Sequence, residues 1–257
     1  MKKVYEFAEY ESDKKFLTDT TQVFFGTEYE IEDIKEINHH WTFYENGDVK
    51  IVEDHSLRNN GREFITKPLT LEQSLEMFKQ LHSSIEVGQS AYSSRTSIHV
   101  HVNVLDLSLD QLKHLLLLYA YLEPVFFSFV GEKRKHNIHC VPLNWTLLPK
   151  YYPLDITGIV ENWSKYTAFN MCPVFKQGTV EFRHLYGTGN FDIYKKWLNI
   201  INNLFVFVHT TDPSWLEENI QHLSYDDICW KVLKQTTYSC NKEEIKQSEI
   251  DVKLSFL

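Results

Sequence analysis

The 257-residue chain is short of cysteine, glycine and proline, with four, nine and seven of them, and it has no surplus of basic charge. The cysteines, Cys140, Cys172, Cys229 and Cys240, form no CxxC pair and no disulfide-scaffold spacing. That excludes a zinc ribbon and a disulfide-stapled domain, and reads as free thiols in a reducing cytoplasm. With no repeat and no Pro/Gly/Ser linker, residues 1–257 read as a single domain. Asp and Glu number 35 against 26 Lys and Arg, a net charge of −9, so no broad basic face exists for general nucleic-acid binding. A long uninterrupted apolar run is also missing. The most apolar stretch, residues 115–130, is interrupted by Glu123 and Pro124, which predicts a buried helix with a break rather than a membrane span. Near the N-terminus, Glu6, Glu9 and Glu11 stand where a signal peptide would be apolar, so no export signal is expected.

What is present is globular. Hydrophobic residues make up 43% and aromatics 14%, enough to build a full core. Residues 21–32 alternate apolar and polar, the period of a strand. Residues 41–54 carry two apolar runs around Asn46-Gly47, a hairpin signal. Residues 61–69 read as a short strand ended by Pro68. Thr70 and Gln73 then form a capping box that opens a helix to about His82. Residues 97–104 alternate again, and Ser108 with Gln111 caps the Leu-rich helix. An irregular stretch over 131–165 leads to short strands at 166–172 and 178–185, then a helix from about Phe191 to His209. The tail, 211–257, reads as helical, with capping signals at Ser214 and Ser224. Strands first and helices late predict an α+β fold.

Alternate residues of a strand share a face. Glu28, Glu30 and Glu32 therefore lie together, as do Ser97, His99, His101 and Asn103, and Thr179, Glu181 and Arg183. Glu63 stands opposite Phe64 on its own strand. Two readings are open. An antiparallel sheet commonly wets one face, which would account for each strand alone. Adjacent like charges repel, however, and His99 and His101 would stand about 7 Å apart along one strand, as in the wall of a polar cavity. Glutamates with an imidazole suit Mg²⁺ or Mn²⁺ better than structural zinc, and an arginine beside them suits a phosphate or a carboxylate.

These motifs, taken in order, resemble the amidoligase family of bacteria and phages, within the carboxylate–amine ligases related to glutamine synthetase and glutamate–cysteine ligase. The resemblance rests on Gly26-Thr27-Glu28-Tyr29-Glu30, on Asp54 to Leu57, and on Gly61 to Leu69. It continues through Ser97 to Val102, Arg134 to Pro142, Tyr166 to Asn170, and Thr179 to Arg183 with Gly187-Thr188. It implies a glutamine-synthetase-like catalytic fold, a curved, mostly antiparallel sheet with helices on one face, over a core of 21–210. It also implies metal ligands at Glu28, Glu30, Glu63, His99 and Glu181, and nucleotide contacts from His101, Arg134 and Arg183. Arg183, Glu63 and Glu181 would act in catalysis. The implied cofactors are ATP and Mg²⁺ or Mn²⁺, and the implied substrates a small-molecule or peptide carboxylate and an amine. No membrane partner is implied, an oligomer would suit the relatives, and the compartment would be the host cytoplasm for a phage protein. Relatives carry an acid seven or eight residues before the Glu63 position; here those places hold Ser56 and His55, with Asp54 next to them. The same superfamily includes guanidino-group kinases, and a non-catalytic binding module would keep the same motifs.

Other residues read more simply. Lys133 to His136 is a basic loop or a phosphate clamp, His39-His40 are ordinary histidines, and Cys172 is a packed thiol without a partner base. The aromatic stretch from Trp197 to Phe207 has helix-core spacing.

Overall fold

The computed structural model describes residues 2–10, 12–143, 155–235 and 240–256. Part of the irregular stretch expected over 131–165, residues 144–154, lies outside the described residues, as does a short piece of the helical tail.

The strands, in chain order, are β1 (Phe25–Ile31), β2 (Ile34–Ile37), β3 (Val49–Val52), β4 (Arg62–Thr66), β5 (Ile85–Val87), β6 (Ser97–Asn103), β7 (Phe169–Asn170) and β8 (Thr179–Tyr186). Among the described residues, six of them make one open, fully antiparallel sheet in the order β3-β4-β1-β6-β8-β7. The remaining two, β2 and β5, form a separate pair that the sequence pattern does not reveal. These two strands are too short for period-2 patterning to stand out from their surroundings.

The period-2 reading of β1 has a direct physical outcome. Phe25, Thr27, Tyr29 and Ile31 are buried, while Gly26, Glu28 and Glu30 between them are partly open. Helices cover the apolar face. They are α2 (Leu71–Ser84), α3 (Leu109–Val130) and α6 (Phe191–Thr210); the shorter α1 (Thr42–Glu45), α4 (Ile156–Glu161) and α5 (Val174–Gln177) fall elsewhere along the chain. Tyr29 meets Phe78 of α2 and Tyr194 of α6, and Phe182 of β8 meets Phe126 of α3 and Trp197 of α6. The capping boxes at Thr70 and Ser108 both form. Helices α7 (Trp215–Asn219), α8 (Tyr225–Leu233) and α9 (Lys242–Leu254) make up the described tail, and Ser224 caps α8.

Two expectations are corrected. Asn46-Gly47 does not join two strands. Residues 42–45 form one helical turn closed on the Trp41 carbonyl, and Gly47, with a φ of +70°, ends it in the left-handed region. Strand β3 follows and pairs with β4 instead. The Asn-Gly preference for positive φ is used here to leave a helix.

The break expected at Pro124 is also absent, because α3 runs through it. Proline in a helix interior costs about 3 kcal/mol. Beyond it, Phe126 and Phe127 are buried against Phe182, His184 and Trp197. Burying two such rings contributes roughly 3–6 kcal/mol, enough to offset the break. This helix is long and apolar enough to cross a membrane, but 83% of its most apolar window is buried inside the protein.

Candidate functional site

The site is built on the polar face of β1, β6 and β8. Register places Glu28 opposite His99, Gly26 opposite His101, and His101 opposite Glu181. Glu28 reaches both histidines of β6, with Oε2 3.3 Å from His99 Nδ1 and Oε1 3.3 Å from His101 Nε2. His99 Nδ1 is also 3.4 Å from Glu181 Oε1. Glu28, His101 and Glu181 each offer a donor atom within 4.8 Å of the others. Burial alone would raise the Glu28 carboxyl, but its hydrogen bonds to His101 and His99 outweigh it and hold the group well below the usual carboxylate range. The His101 imidazole, which burial would discharge, is raised by the hydrogen bond to Glu28 and by its charge.

Neighbours fix these side chains. Asn170 Nδ2 of β7 donates to Glu181 Oε2 at 2.7 Å, and Arg183 Nη1 donates to Glu181 Oε1. His101 Nδ1 is 3.0 Å from Thr179 Oγ1, and the Ser97 amide donates to Glu30 Oε2 at 2.7 Å. Arg183 Nε donates to the His139 carbonyl at 3.0 Å. Arg183 sits in a β-bulge. Ile98 pairs with Leu185 and Val100 with Phe182, so β8 carries one more residue than β6 between those pairs. Bulges re-aim side chains beside functional sites, and the alternation pattern carries no sign of this one.

Next to the triple, Glu30 stands directly opposite Glu63. Burial raises Glu63 first, and the charges of Glu28, Glu30 and Asp54 add to it, to about 7. Glu30 is likewise raised, by burial and by Asp54 among its neighbours. Asp54 therefore stands close enough to act on both acids, although the Ser56 amide and hydroxyl bond to its carboxylate. Glu32 leaves the acidic row: past the strand end it is buried, accepts from the Arg58 amide, and faces Arg95.

Two clefts flank the triple along the strand direction. One, of about 190 Å³, is lined by Glu28, His101 and Thr179 together with the apolar Leu17, Phe24, Ile65 and Pro68. The other, of about 420 Å³, is lined by Glu30, His99 and Arg183 together with Arg95, Asn137 and Ile138.

Of the residues expected from the sequence, Glu28, His99, His101, Glu181 and Arg183 come together, with Glu30 and Glu63 beside them. His101, expected to face the nucleotide, belongs to the donor triple. Arg134 does not reach either cleft. It is buried and donates to backbone carbonyls, Nε to His184 and Nη2 to Arg183, both at 2.7 Å. Asn170 enters the sequence reading only as the end of the Tyr166–Asn170 match, with no role assigned, and its place on the strand before Glu181 makes it a site residue. Cys172 is a free, partly buried thiol that donates to the Trp163 carbonyl.

An antiparallel α+β protein with a carboxylate–imidazole centre and an adjacent arginine is the class this fold and site define. Residues 6–204, more than three quarters of the chain, match the family described as "putative amidoligase enzyme", and the chain belongs to that family. Membership points to a ligase. No curated protein matches the chain.

Proposed function

We propose that the protein is an ATP- and Mg²⁺-dependent carboxylate–amine ligase that forms an amide bond through an acyl phosphate. The observation that carries this reading is the donor triple Glu28, His101 and Glu181 within 4.8 Å, with Arg183 on the Glu181 carboxylate and a cleft on either side.

Two carboxylates and an imidazole form an oxygen-rich set that fits Mg²⁺ or Mn²⁺, with His99, Glu30 and Glu63 as further donors. Bound Mg·ATP supplies an activated γ-phosphoryl group. Its transfer to the substrate carboxylate releases ADP. Attack of an amine on the acyl carbon then forms the amide bond, breaks the acyl–phosphate bond and releases inorganic phosphate and a proton.

The chain's own contribution is position and charge. Arg183 faces the developing phosphoryl charge, and Glu181 holds its guanidinium. Glu28 orients both imidazoles of β6. The apolar walls of the smaller cleft suit a nucleobase, and the larger cleft, with Arg183 and Arg95, suits the carboxylate and amine substrates. We read the chain as one catalytic domain acting on small-molecule or peptide substrates in the cytoplasm.

The test is metal-dependent ADP release on adding carboxylate and amine pairs, with products weighed by mass spectrometry. Joining of two substrates with loss of water supports the ligase. A stable phosphorylated product would mean a phosphotransferase, and no ADP release from any pair, with Glu30→Gln indistinguishable from wild type, would mean a binding module.

A further inference from the structure

We infer that Arg134 is a positioning residue: its guanidinium holds open the β8 bulge that aims Arg183 into the cleft. The inference rests on the reading of Arg183 as the anion-binding group of the site.

A bulge takes an extra residue out of the ladder, and its backbone groups then need partners from elsewhere. The two carbonyls involved, those of Arg183 and His184, accept from Arg134 Nη2 and Nε at 2.7 Å each. These are short, charge-assisted bonds from a planar fork, the geometry for which arginine is suited and lysine is not. Only 7% of Arg134 is exposed, so its charge is committed to this place.

The same segment grips Arg183 a second way. Arg134 lies in a 3-10 turn, Glu132–His136, and three residues beyond that turn the His139 carbonyl accepts from Arg183 Nε at 3.0 Å. On the core side of the bulge, Tyr119 Oη lies 2.8 Å from His184 Nε2 and donates to Glu123 Oε1 at 2.7 Å. His184 is thus pinned inward while Arg183 is held outward. Without the fork, the ladder alone would not keep the Arg183 and His184 carbonyls turned this way, and the guanidinium of Arg183 would lose its fixed approach to Glu181.

The experiment compares wild type with Arg134→Met, which removes the fork, and Arg134→Lys, which keeps the charge and part of the donor set. Three readouts are taken on the full chain: the NMR signal of the Arg183 Nε–H, Mn²⁺ affinity by calorimetry, and kcat and KM for ADP release. Arg134→Met is expected to shift the Arg183 Nε–H signal and speed its exchange, and to leave Mn²⁺ affinity within about threefold. It should lower kcat by about 100-fold with little change in KM, the scale of an ångström-sized misplacement. Arg134→Lys should fall between, and it carries the same test should the methionine variant fail to fold. An unmoved Arg183 signal with KM for Mg·ATP raised tenfold or more would overturn the inference and make Arg134 a ligand contact. A displaced Arg183 signal with wild-type kcat would overturn it too. If wild type releases no ADP, the ligase reading fails, while the Arg183 signal still decides whether Arg134 holds the bulge.

Discussion

Glu30 and Glu63 stand directly opposite each other across the β1–β4 ladder, two carboxylates on the same polar face. Like charges in that position repel. Glu63 bears the result: burial and the neighbouring acids push its carboxyl up to about 7. A cation between them would relieve both.

A carboxyl whose folded pKa lies above its unfolded one contributes stability at low pH that is lost as pH rises, here between the ordinary value of 4.5 and about 7. Metal-free protein should therefore lose stability across that window. Glu63→Gln removes the titration and should stabilise the metal-free protein at pH 8 by about 1 kcal/mol, a figure discounted for the partial exposure of the group. Mg²⁺ is expected to stabilise the wild type, and the same variant should lose much of that effect. Thermal melts with and without Mg²⁺ across pH 5–8 check both halves.

Removing a member of the triple should act on metal rather than fold. Glu28→Gln and Glu181→Gln are each expected to weaken Mn²⁺ binding by at least roughly 10- to 100-fold, the range seen when only the partners behind metal ligands are changed. Calorimetric titration of Mn²⁺ into folded variants measures it. Unchanged affinity in both would remove the triple from consideration.

Arg183 should separate from Glu28 and Glu181 in its effect. Arg183→Lys keeps the charge and loses the fork, and is expected to lower kcat by about 10²–10³ while Mn²⁺ affinity stays near wild type. Steady-state ADP release beside a metal titration distinguishes the two.

Away from the site, His209 Nε2 at the end of α6 lies 2.5 Å from Asp106 Oδ2, both side chains buried. Burial would lower the imidazole's pKa, but the bond to Asp106 and its charge raise it. The contribution of this pair is fully present below about pH 6.5 and is lost as pH rises through the higher folded value. His209→Asn leaves Asp106 buried without its cation and should cost about 3 kcal/mol at pH 6, with a smaller loss at pH 9. Urea melts at the two pH values check the difference.

The alternation of β1, β6 and β8 makes the polar face legible in the sequence itself, since burial of one face imposes period 2 on the residues. The capping boxes at Thr70 and Ser108 are legible because they too are local. What the sequence hides is decided by long-range packing. Pro124 is carried by the aromatic burial of Phe126 and Phe127, and Asn46-Gly47 serves a helical turn because β3 finds its partner in β4. The bulge at Arg183 shows only in the register between β6 and β8. The resemblance makes Arg134 a nucleotide contact, and only the fold shows two of its donors spent on backbone carbonyls instead.

On the proposed reading, a divalent metal and a nucleotide share the face formed by Glu28, His101 and Glu181. Crystals grown with Mn²⁺ and a non-hydrolysable ATP analogue test it most directly, through anomalous scattering. A manganese peak is expected among those three side chains, with a phosphate oxygen beside it and Arg183 toward the terminal phosphate. A nucleotide bound elsewhere, or no manganese peak among the three at millimolar metal, would contradict it.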